Sequence, residues 1–319
     1  MTDISLITSL YRARQYLPRY VERASQASYE LRSQGIELEL LIVANDAEPQ
    51  ERVLLDAFAA SEAGVQVLYV ERETLYASWN RGIKAASGEV IGFWNADDAR
   101  TSAGLVEGLR RLRGGCELVY FTFEIYQNGR KLRDFAPTPS EIEVHRRRMQ
   151  AGPFFMFRRE LYDRVGPFDE RFRIIGDWEW CVRALAETEF CHSNVCAGQF
   201  FIHGGNLSNL GSTRDRVESN VVRLLTWRYD ELVPVPPREM REVWSLWAVG
   251  HSLPELVAEK LWGEGAEAVW EKWQRDEPRL KRKAERQRLL RALPKWLIDR
   301  MGLRPILAKL GLVRARKPQ

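Results

Sequence analysis

The sequence is poor in cysteine. Four cysteines among 319 residues are too few for the disulfide framework of a small secreted domain, so we expect free, buried thiols and a reducing compartment. Cys191, His192 and Cys196 form a short potential metal-binding fragment. A second pair of ligands is missing, so this pattern favours buried thiols over a metal site.

Long apolar runs are also absent. The longest candidates, residues 38–44 and 90–94, are far shorter than the roughly 20 residues that a membrane-spanning helix needs. The N-terminus has Asp3 where a signal peptide would have positive charge. We therefore expect a cytoplasmic protein with no segment that crosses the membrane.

Neither disorder nor repetition dominates the composition. Hydrophobic residues make up 45% and charged residues 29% of the chain, which excludes a disordered, collagen-like or coiled-coil protein. No period of about 20 to 50 residues recurs, which excludes solenoids and propellers. The length allows one large domain with an appendage, or two domains.

Charge is unevenly distributed along the chain. Residues 271–319 contain 16 Lys or Arg against 5 Asp or Glu, whereas residues 1–270 contain 32 against 39. Proline-rich residues 233–237 form a stiff linker within the boundary region, 215–237. We predict a first domain at 1–215, with halves 1–100 and 101–215, and a basic, Trp-rich helical region at 216–319.

Strands and helices alternate through the first hundred residues. Strands are predicted at 4–10, 36–44, 65–70 and 89–94, with helices at 14–31, 50–61 and 78–86. This order predicts an α/β fold, with a mainly parallel sheet, helices on both faces and a ligand crevice at the carboxyl ends of the strands. Polar pairs stand at three of those ends: Thr8-Ser9, Asn45-Asp46 and Asp97-Asp98.

Asp97 and Asp98 are the first candidates for chemistry. Adjacent carboxylates after a buried strand can hold Mg²⁺ or Mn²⁺ against a diphosphate, since these ions prefer hard oxygen ligands. The alternative is a helix N-cap followed by a solvated acid.

Motifs around these strands resemble the family 2 glycosyltransferases, which have the GT-A fold, over residues 3–210. Ile4 to Tyr11, followed by Tyr16-Leu17-Pro18, resembles the first strand and helix of that family. Trp79-Asn80-Arg81-Gly82-Ile83 is similar to its Arg-Asn-x-Gly-Ile helix. Asn95-Ala96-Asp97-Asp98 stands where the family has a variant of its metal-binding Asp-x-Asp motif. The resemblance implies a Rossmann-like, mixed but mainly parallel sheet.

The second strand departs from the family pattern. It usually ends in two aspartates, one of which hydrogen-bonds the nucleotide base. Here Ala44 replaces the first aspartate, and Asn45 stands at the base-contacting position with Asp46 after it.

The resemblance implies an inverting enzyme that uses a nucleoside-diphosphate sugar and a divalent metal, Mn²⁺ or Mg²⁺. Asp98 would bind the metal, with His203 as a second ligand from a glycine-containing loop, and Asp97 would touch the ribose or sugar. A lone histidine is, however, more often a satisfied polar residue. The other predicted substrate-binding residues are Thr8, Ser9, Asn45, Asp46, Trp79 and Asn80, although core packing is an equal alternative for Trp79.

Asp177 is the predicted catalytic base. Gly176-Asp177-Trp178-Glu179 resembles the acceptor half of the family, with Gly176 in place of the glutamate of a Glu-Asp pair. There the aspartate takes a proton from the acceptor hydroxyl. A simple N-cap is the alternative reading of Asp177. Glu179 is a second candidate for substrate contact, but an offset of two helical residues would turn it away.

The basic segment 271–319 has two possible roles. Basic amphipathic helices with Trp in 271–319 suit the anionic inner face of a cell membrane, close to a glycan or lipid-linked acceptor. They equally suit a subdomain that packs on the core.

Two rival functions remain open. One is a nucleotidyltransferase on a similar sheet, and the other is an inactive nucleotide- or glycan-binding relative, suggested by Ala44 and Gly176. No nucleic-acid motif is present, so we expect no nucleic-acid partner.

Overall fold

The structure is a computed structural model that describes residues 2–137, 149–207, 218, 219, 221, 222, 271 and 275. The chain divides into two compact units, residues 1–226 and 227–319. Nearly all of the predicted helical region 216–319, including its basic tail, lies outside the described residues. No helix in the described ranges is long and apolar enough to cross a membrane.

In the described residues, nine strands form one mixed sheet in the order β3-β2-β1-β4-β8-β6-β9-β5, with β7 paired to β6. The strands are β1 (Ile4–Leu10), β2 (Leu38–Asn45), β3 (Val65–Val70), β4 (Val90–Phe93), β5 (Ala99–Arg100), β6 (Leu118–Gln127), β7 (Arg130–Phe135), β8 (Met156–Arg158) and β9 (Phe190–Ile202). β1, β2, β3 and β4 are parallel, as predicted. The short β8 is antiparallel to both β4 and β6.

Helices cover both faces of this sheet. They are α1 (Leu17–Arg32), α2 (Pro49–Ser61), α3 (Leu75–Ala85), α4 (Ser102–Arg113), α5 (Arg159–Val165) and α6 (Gly176–Ala184). Leu6 and Leu10 of β1 belong to a core that includes side chains of α1, α2 and α4. Ile7 points to the other face, where a Cβ on Gly82 of α3 would lie 2.5 Å from it. Because successive side chains of a strand point to opposite faces of the sheet, β1 has buried apolar side chains on both faces, and both faces are covered by helices.

Helix α3 begins three residues earlier than predicted. Thr74 is its N-cap, and the Thr74 hydroxyl accepts a hydrogen bond from the Ala77 amide at 3.1 Å. The earlier start brings Tyr76 into the first turn of the helix.

The prediction that all four cysteines are free thiols is wrong for two of them. Cys116, just before β6, forms a disulfide with Cys191 in β9, with a Cα–Cα distance of 6.2 Å. The two strands pair in parallel with Val119 opposite Cys191, so a contact 75 residues apart in sequence is made by the sheet. Cys181 and Cys196 are free.

Candidate active site

The site lies at the edge of the sheet where the parallel strands end. The segments after β1, β2 and β4 carry Tyr11, Asp46 and Asp97, and α3 begins at the same edge after β3. The topology of parallel strands thus brings three separate polar segments to one place.

Asp97 and His203 form a pair at this edge. Nε2 of His203 lies 2.8 Å from Oδ2 of Asp97, and the side-chain Nδ2 of Asn206 donates to the same oxygen at 3.4 Å. The Tyr16 hydroxyl is 3.3 Å from each ring nitrogen of His203. The Asp97 and His203 side chains are 22% and 26% exposed, so both remain accessible to a ligand.

Asp98 has the opposite environment. It is 1% exposed, Oδ1 accepts a hydrogen bond from the Phe201 amide at 3.1 Å, and Oδ2 accepts one from the Asn95 side chain at 3.0 Å. Burial, and after it the charge of Asp97, raises the pKa of the Asp98 carboxyl. Both oxygens are therefore directed into the protein, and the geometry favours Asp97 over Asp98 as the metal contact.

Asn45 and Asp46, at the end of β2, also differ in their exposure to solvent. Asn45 is buried; its Oδ1 accepts from the Glu73 amide at 3.0 Å, and its Nδ2 donates to the Ser78 hydroxyl at 3.0 Å. Asp46 is exposed, has a left-handed φ of 43°, and accepts a bond from the Arg72 amide at 3.2 Å. Asn45 thus ties the end of β2 to α3, while Asp46 faces the open side.

Two further predicted substrate-binding residues are buried in the protein. The Thr8 hydroxyl donates to the Trp94 carbonyl at 2.7 Å and lies 2.8 Å from the Tyr20 hydroxyl. Trp79 is 5% exposed and stacks on Phe93 with ring centroids 3.7 Å apart. The Trp79 indole is therefore part of the core and is not available to stack on a sugar. Ser9 remains partly exposed.

Asn80 joins α3 to the acceptor half. Its Nδ2 donates to the Phe168 carbonyl at 2.9 Å, and its Oδ1 accepts from the Phe168 amide at 2.9 Å. The Tyr162 hydroxyl also donates to Oδ1, at 2.9 Å. These bonds hold α3 against Tyr162 and Phe168. Asn80 therefore has a structural role in place of the predicted substrate contact.

Tyr11 and Arg72 were not found from the sequence. The Arg72 guanidinium lies 4.1 Å above the Tyr11 ring, and its Nη1 donates to the Tyr11 hydroxyl at 2.8 Å. Arg72 is also the residue whose amide reaches Asp46. The available signal was a basic residue two positions after the end of β3. This stacked pair places an aromatic face and a positive charge beside Asp46.

Asp177 lies in the first turn of α6, next to Tyr76 of α3. The N-cap of the helix is Ile175, which excludes the simple N-cap reading of Asp177. Oδ1 of Asp177 accepts from the Trp178 amide at 2.8 Å and lies 3.4 Å from the Tyr76 hydroxyl. Burial raises the pKa of Asp177 to about 6, close to the range in which a general base operates.

Gly176 and Glu179 take structural positions. A Cβ on Gly176 would lie 2.7 Å from the ring of Tyr76, so no larger residue fits there without displacing the ring. Glu179 is buried and accepts two hydrogen bonds from Arg183, at 2.7 and 2.9 Å. Asp177 is thus the carboxylate of α6 that is not committed to an ion pair in the described residues.

Comparison with known proteins shows the family and the fold of this chain. The family model for glycosyl transferase family 2 matches residues 5–166, about half of the chain. The glycosyltransferase AglE of Haloferax volcanii is 22% identical over 188 residues, which cover 57% of this chain and 60% of AglE. The match therefore spans less than two thirds of that relative.

Two solved structures share the fold. TarS 1–349 of S. aureus in complex with UDP-GlcNAc superposes with a TM-score of 0.59 and 13% identity, covering 77% of this chain and 72% of TarS 1–349. The mannosyltransferase PcManGT from Pyrobaculum calidifontis, in complex with GDP-Man and Mn²⁺, gives a TM-score of 0.52 and 13% identity, covering 90% of this chain and 80% of PcManGT. The two solved structures show the fold, and since the family model spans half of the sequence, the chain belongs to glycosyl transferase family 2.

Proposed function

We propose that this protein transfers a sugar from a nucleoside-diphosphate sugar to a hydroxyl group of a glycan or lipid-linked acceptor, with inversion at the anomeric carbon. The observation that carries the proposal is the presence of two chemically different sites at one edge of the sheet. Asp97 with His203 supplies an accessible carboxylate and imidazole. Asp177, against the first turn of α3, supplies a carboxylate suited to accept a proton.

Asp97 and His203 fit a divalent metal. A carboxylate oxygen and an imidazole nitrogen that converge within 2.8 Å are a suitable pair of donors for Mn²⁺ or Mg²⁺. The described residues contain no group of three or more His, Cys, Asp or Glu that could hold a metal, so diphosphate oxygens and water would complete the coordination. When bound, the metal would stabilise the negative charge that develops on the diphosphate.

Asp177 is the proposed general base. Its carboxylate would accept the proton of the acceptor hydroxyl while that oxygen attacks the anomeric carbon. The new carbon–oxygen bond forms on the face opposite the breaking bond to the diphosphate, which inverts the configuration. The amide of Trp178 holds Oδ1 in place at 2.8 Å, and Tyr76 packs beside it.

The donor class is supported by the shared fold. TarS is solved with UDP-GlcNAc and PcManGT with GDP-Man, so two proteins with this fold hold nucleotide sugars. In this chain, Tyr11, Arg72 and the exposed Asp46 lie together at the same edge. An aromatic face, a cation and a hydrogen-bond acceptor are groups that suit a nucleotide.

The test measures turnover of a panel of UDP-, GDP- and dTDP-sugars with Mn²⁺, Mg²⁺ or a chelator. Release of the nucleoside diphosphate is the readout. We expect turnover with one nucleotide class, and its loss with the chelator. Release of pyrophosphate from a nucleoside triphosphate and a sugar phosphate would instead identify a nucleotidyltransferase. Failure of every sugar nucleotide to react would support an inactive binding protein.

Asp177→Asn tests the base. The variant should bind the donor normally but lose transfer by about 10²- to 10⁴-fold, the usual contribution of a general base. Asp163→Asn is the matched control, because Asp163 is an exposed aspartate on α5. Normal transfer by Asp177→Asn would overturn the assignment.

A further inference from the structure

Glu218 is a buried carboxylate that lies outside the segment matched by the family model. It is 1% exposed, although glutamate is rarely buried without partners. The mechanism above does not use this side chain.

Glu218 accepts hydrogen bonds from three consecutive backbone amides. The Arg173 amide donates to Oε1 at 3.0 Å, and the amides of Ile174 and Ile175 donate to Oε2 at 2.8 and 3.2 Å. Amide–carboxylate bonds are charge-assisted and are about twice as strong as neutral ones. One side chain therefore fixes the backbone of a whole irregular segment.

That segment carries the proposed base. Residues 173–175 lead directly into α6, and Ile175 is its N-cap, two residues before Asp177. On this segment the Ile174 carbonyl accepts a hydrogen bond from the Tyr76 hydroxyl at 2.7 Å. Glu218 therefore binds the amides of residues 173–175, and the Tyr76 hydroxyl binds the carbonyl of Ile174 in the same segment.

We propose that Glu218 is a positioning residue for Asp177, and that it sets the orientation and the electrostatic environment of that carboxylate through residues 173–175. The inference rests on the proposed function, since it assigns Glu218 a role only if Asp177 is the base. The alternative is a brace of the fold with no influence on the reaction.

The charges around Asp177 make the two roles distinguishable. Besides Glu218, the titratable groups that face Asp177 within the described residues are Tyr76 of α3 and Cys181, one turn further along α6. Burial raises the pKa of both Tyr76 and Cys181, so both stay neutral near pH 7. The negative charge of Glu218 raises the pKa of Asp177 in the same direction as burial does. Removal of that charge should lower the pKa of Asp177.

The experiment compares Glu218→Gln with the wild-type full-length chain in the transfer assay. Glutamine keeps the size and an acceptor oxygen but removes the charge and presents an NH₂ group to one of the amides. We expect kcat to fall roughly 10- to 100-fold, as misplacement of a reacting group does, with the KM for the donor unchanged. The acidic limb of the pH–rate profile should move to lower pH. Glu187→Gln, at an exposed glutamate after α6, should change neither.

An unchanged kcat, or a lower kcat with an unmoved acidic limb, would overturn the proposal. If Glu218→Gln does not fold, Glu218→Asp keeps the charge on a shorter side chain. That variant should then lower kcat while the limb stays within the wild-type range, and a wild-type kcat would overturn the proposal.

A double variant separates this inference from the proposed function. If Glu218 acts through Asp177, Asp177→Asn/Glu218→Gln should be no slower than Asp177→Asn alone. A further loss equal to that of the single Glu218→Gln variant would show an independent role. Full activity in Asp177→Asn would instead refute the proposed function itself.

Discussion

Neighbouring carboxylates in this chain have opposite environments. Asp97 is accessible and pairs with His203, while Asp98 is buried and bonded through both oxygens. Among the described residues Asp177 has no ion-pair partner, while Glu179 pairs with Arg183. Adjacent positions in a turn, or two positions apart on a helix, point in different directions, so residue type alone does not assign the roles.

The Asp97 and Asp98 pair gives a prediction with separate readouts. Asp97→Ala should reduce transfer and its metal dependence while the free energy of unfolding stays within about 0.5 kcal/mol of wild type, as for most surface substitutions. Asp98→Ala should lower the free energy of unfolding by about 1–3 kcal/mol, because the Phe201 amide and the Asn95 amide group lose their acceptor. Urea denaturation and the transfer assay measure both. The reverse pattern would restore Asp98 as the metal contact.

The raised pKa of Asp177 predicts the pH dependence of transfer. A general base must be deprotonated, so kcat should rise with pH through about 6, the pKa of Asp177. The same shift predicts a stability effect of opposite sign. The folded state holds the proton more tightly than the unfolded state, so this group lowers stability as pH rises from about 4 to 6.

Thermal unfolding of Asp177→Asn tests the stability part of that prediction. The difference in Tm, variant minus wild type, should be more positive at pH 7.5 than at pH 4. Asparagine does not ionise, so the variant does not lose this stability as pH rises. The Asp163→Asn control should show no such trend, since Asp163 is exposed. A pH-independent difference for Asp177→Asn would contradict the assignment of the pKa.

At the scale of elements, the start of α6 depends on its contact with α3. Gly176 lets the helix begin against the face of Tyr76, whose hydroxyl reaches the Ile174 carbonyl. The glutamate of the family's Glu-Asp pair has no room here for the same reason. The departure from the family pattern at this position is therefore explained by packing.

Gly176→Ala should lower both stability and kcat. The added methyl would lie 2.7 Å from the Tyr76 ring, and overpacking of this kind typically costs about 1–3 kcal/mol. Gly204→Ala is the matched control for Tm, because a Cβ there would have no neighbour within 4 Å. A Gly176→Ala variant with wild-type Tm and kcat would show that the helix shifts freely.

The Cys116–Cys191 disulfide ties the beginning of β6 to β9, which leads to His203. Reduction, or Cys116→Ser, should destabilise the protein by about 2–5 kcal/mol, because the bond closes a long loop in the unfolded chain. Thiol titration of the unfolded, unreduced protein should give two free cysteines, Cys181 and Cys196. Cys196→Ser serves as the control. Four titratable thiols and an unchanged Tm on reduction would contradict this prediction.

At the scale of the whole molecule, charge separates the ends of the chain. The excess of Lys and Arg in residues 271–319 contrasts with the excess of Asp and Glu in residues 1–270. The sequence leaves two alternatives open for this basic segment, attachment to an anionic membrane and packing on the core. We propose attachment, with each basic residue near the surface contributing about 1 kcal/mol.

Vesicle cosedimentation tests the attachment. The full-length chain should bind vesicles with anionic phospholipid, release them at high salt, and bind neutral phosphatidylcholine vesicles weakly, because screening weakens exposed charges. Replacing the Lys and Arg residues of 281–288 by Gln should reduce binding without reducing sugar-nucleotide turnover in solution. Equal binding to neutral and anionic vesicles would remove the proposal.

Elements whose signal is local could be predicted to within a residue or two. β1 and β3 have the bounds predicted from periodicity, and the polar segments after β1, β2 and β4 do meet at one edge. β8 and β9 were not predicted. β8 has only three residues, and its pairing with β4 and β6 depends on contacts far along the chain.

The sequence by itself determined the α/β fold, the family and the carboxylates from which a site could be built, because strand periodicity and short motifs are written in adjacent residues. The tertiary structure decided which of those carboxylates faces a ligand and which is bonded inside. It also decided the roles of Trp79, Gly176 and Glu218, since these follow from contacts with residues roughly 14 to 100 positions away. Burial and hydrogen bonding at long sequence separation are properties of the packed chain, and no local pattern encodes them.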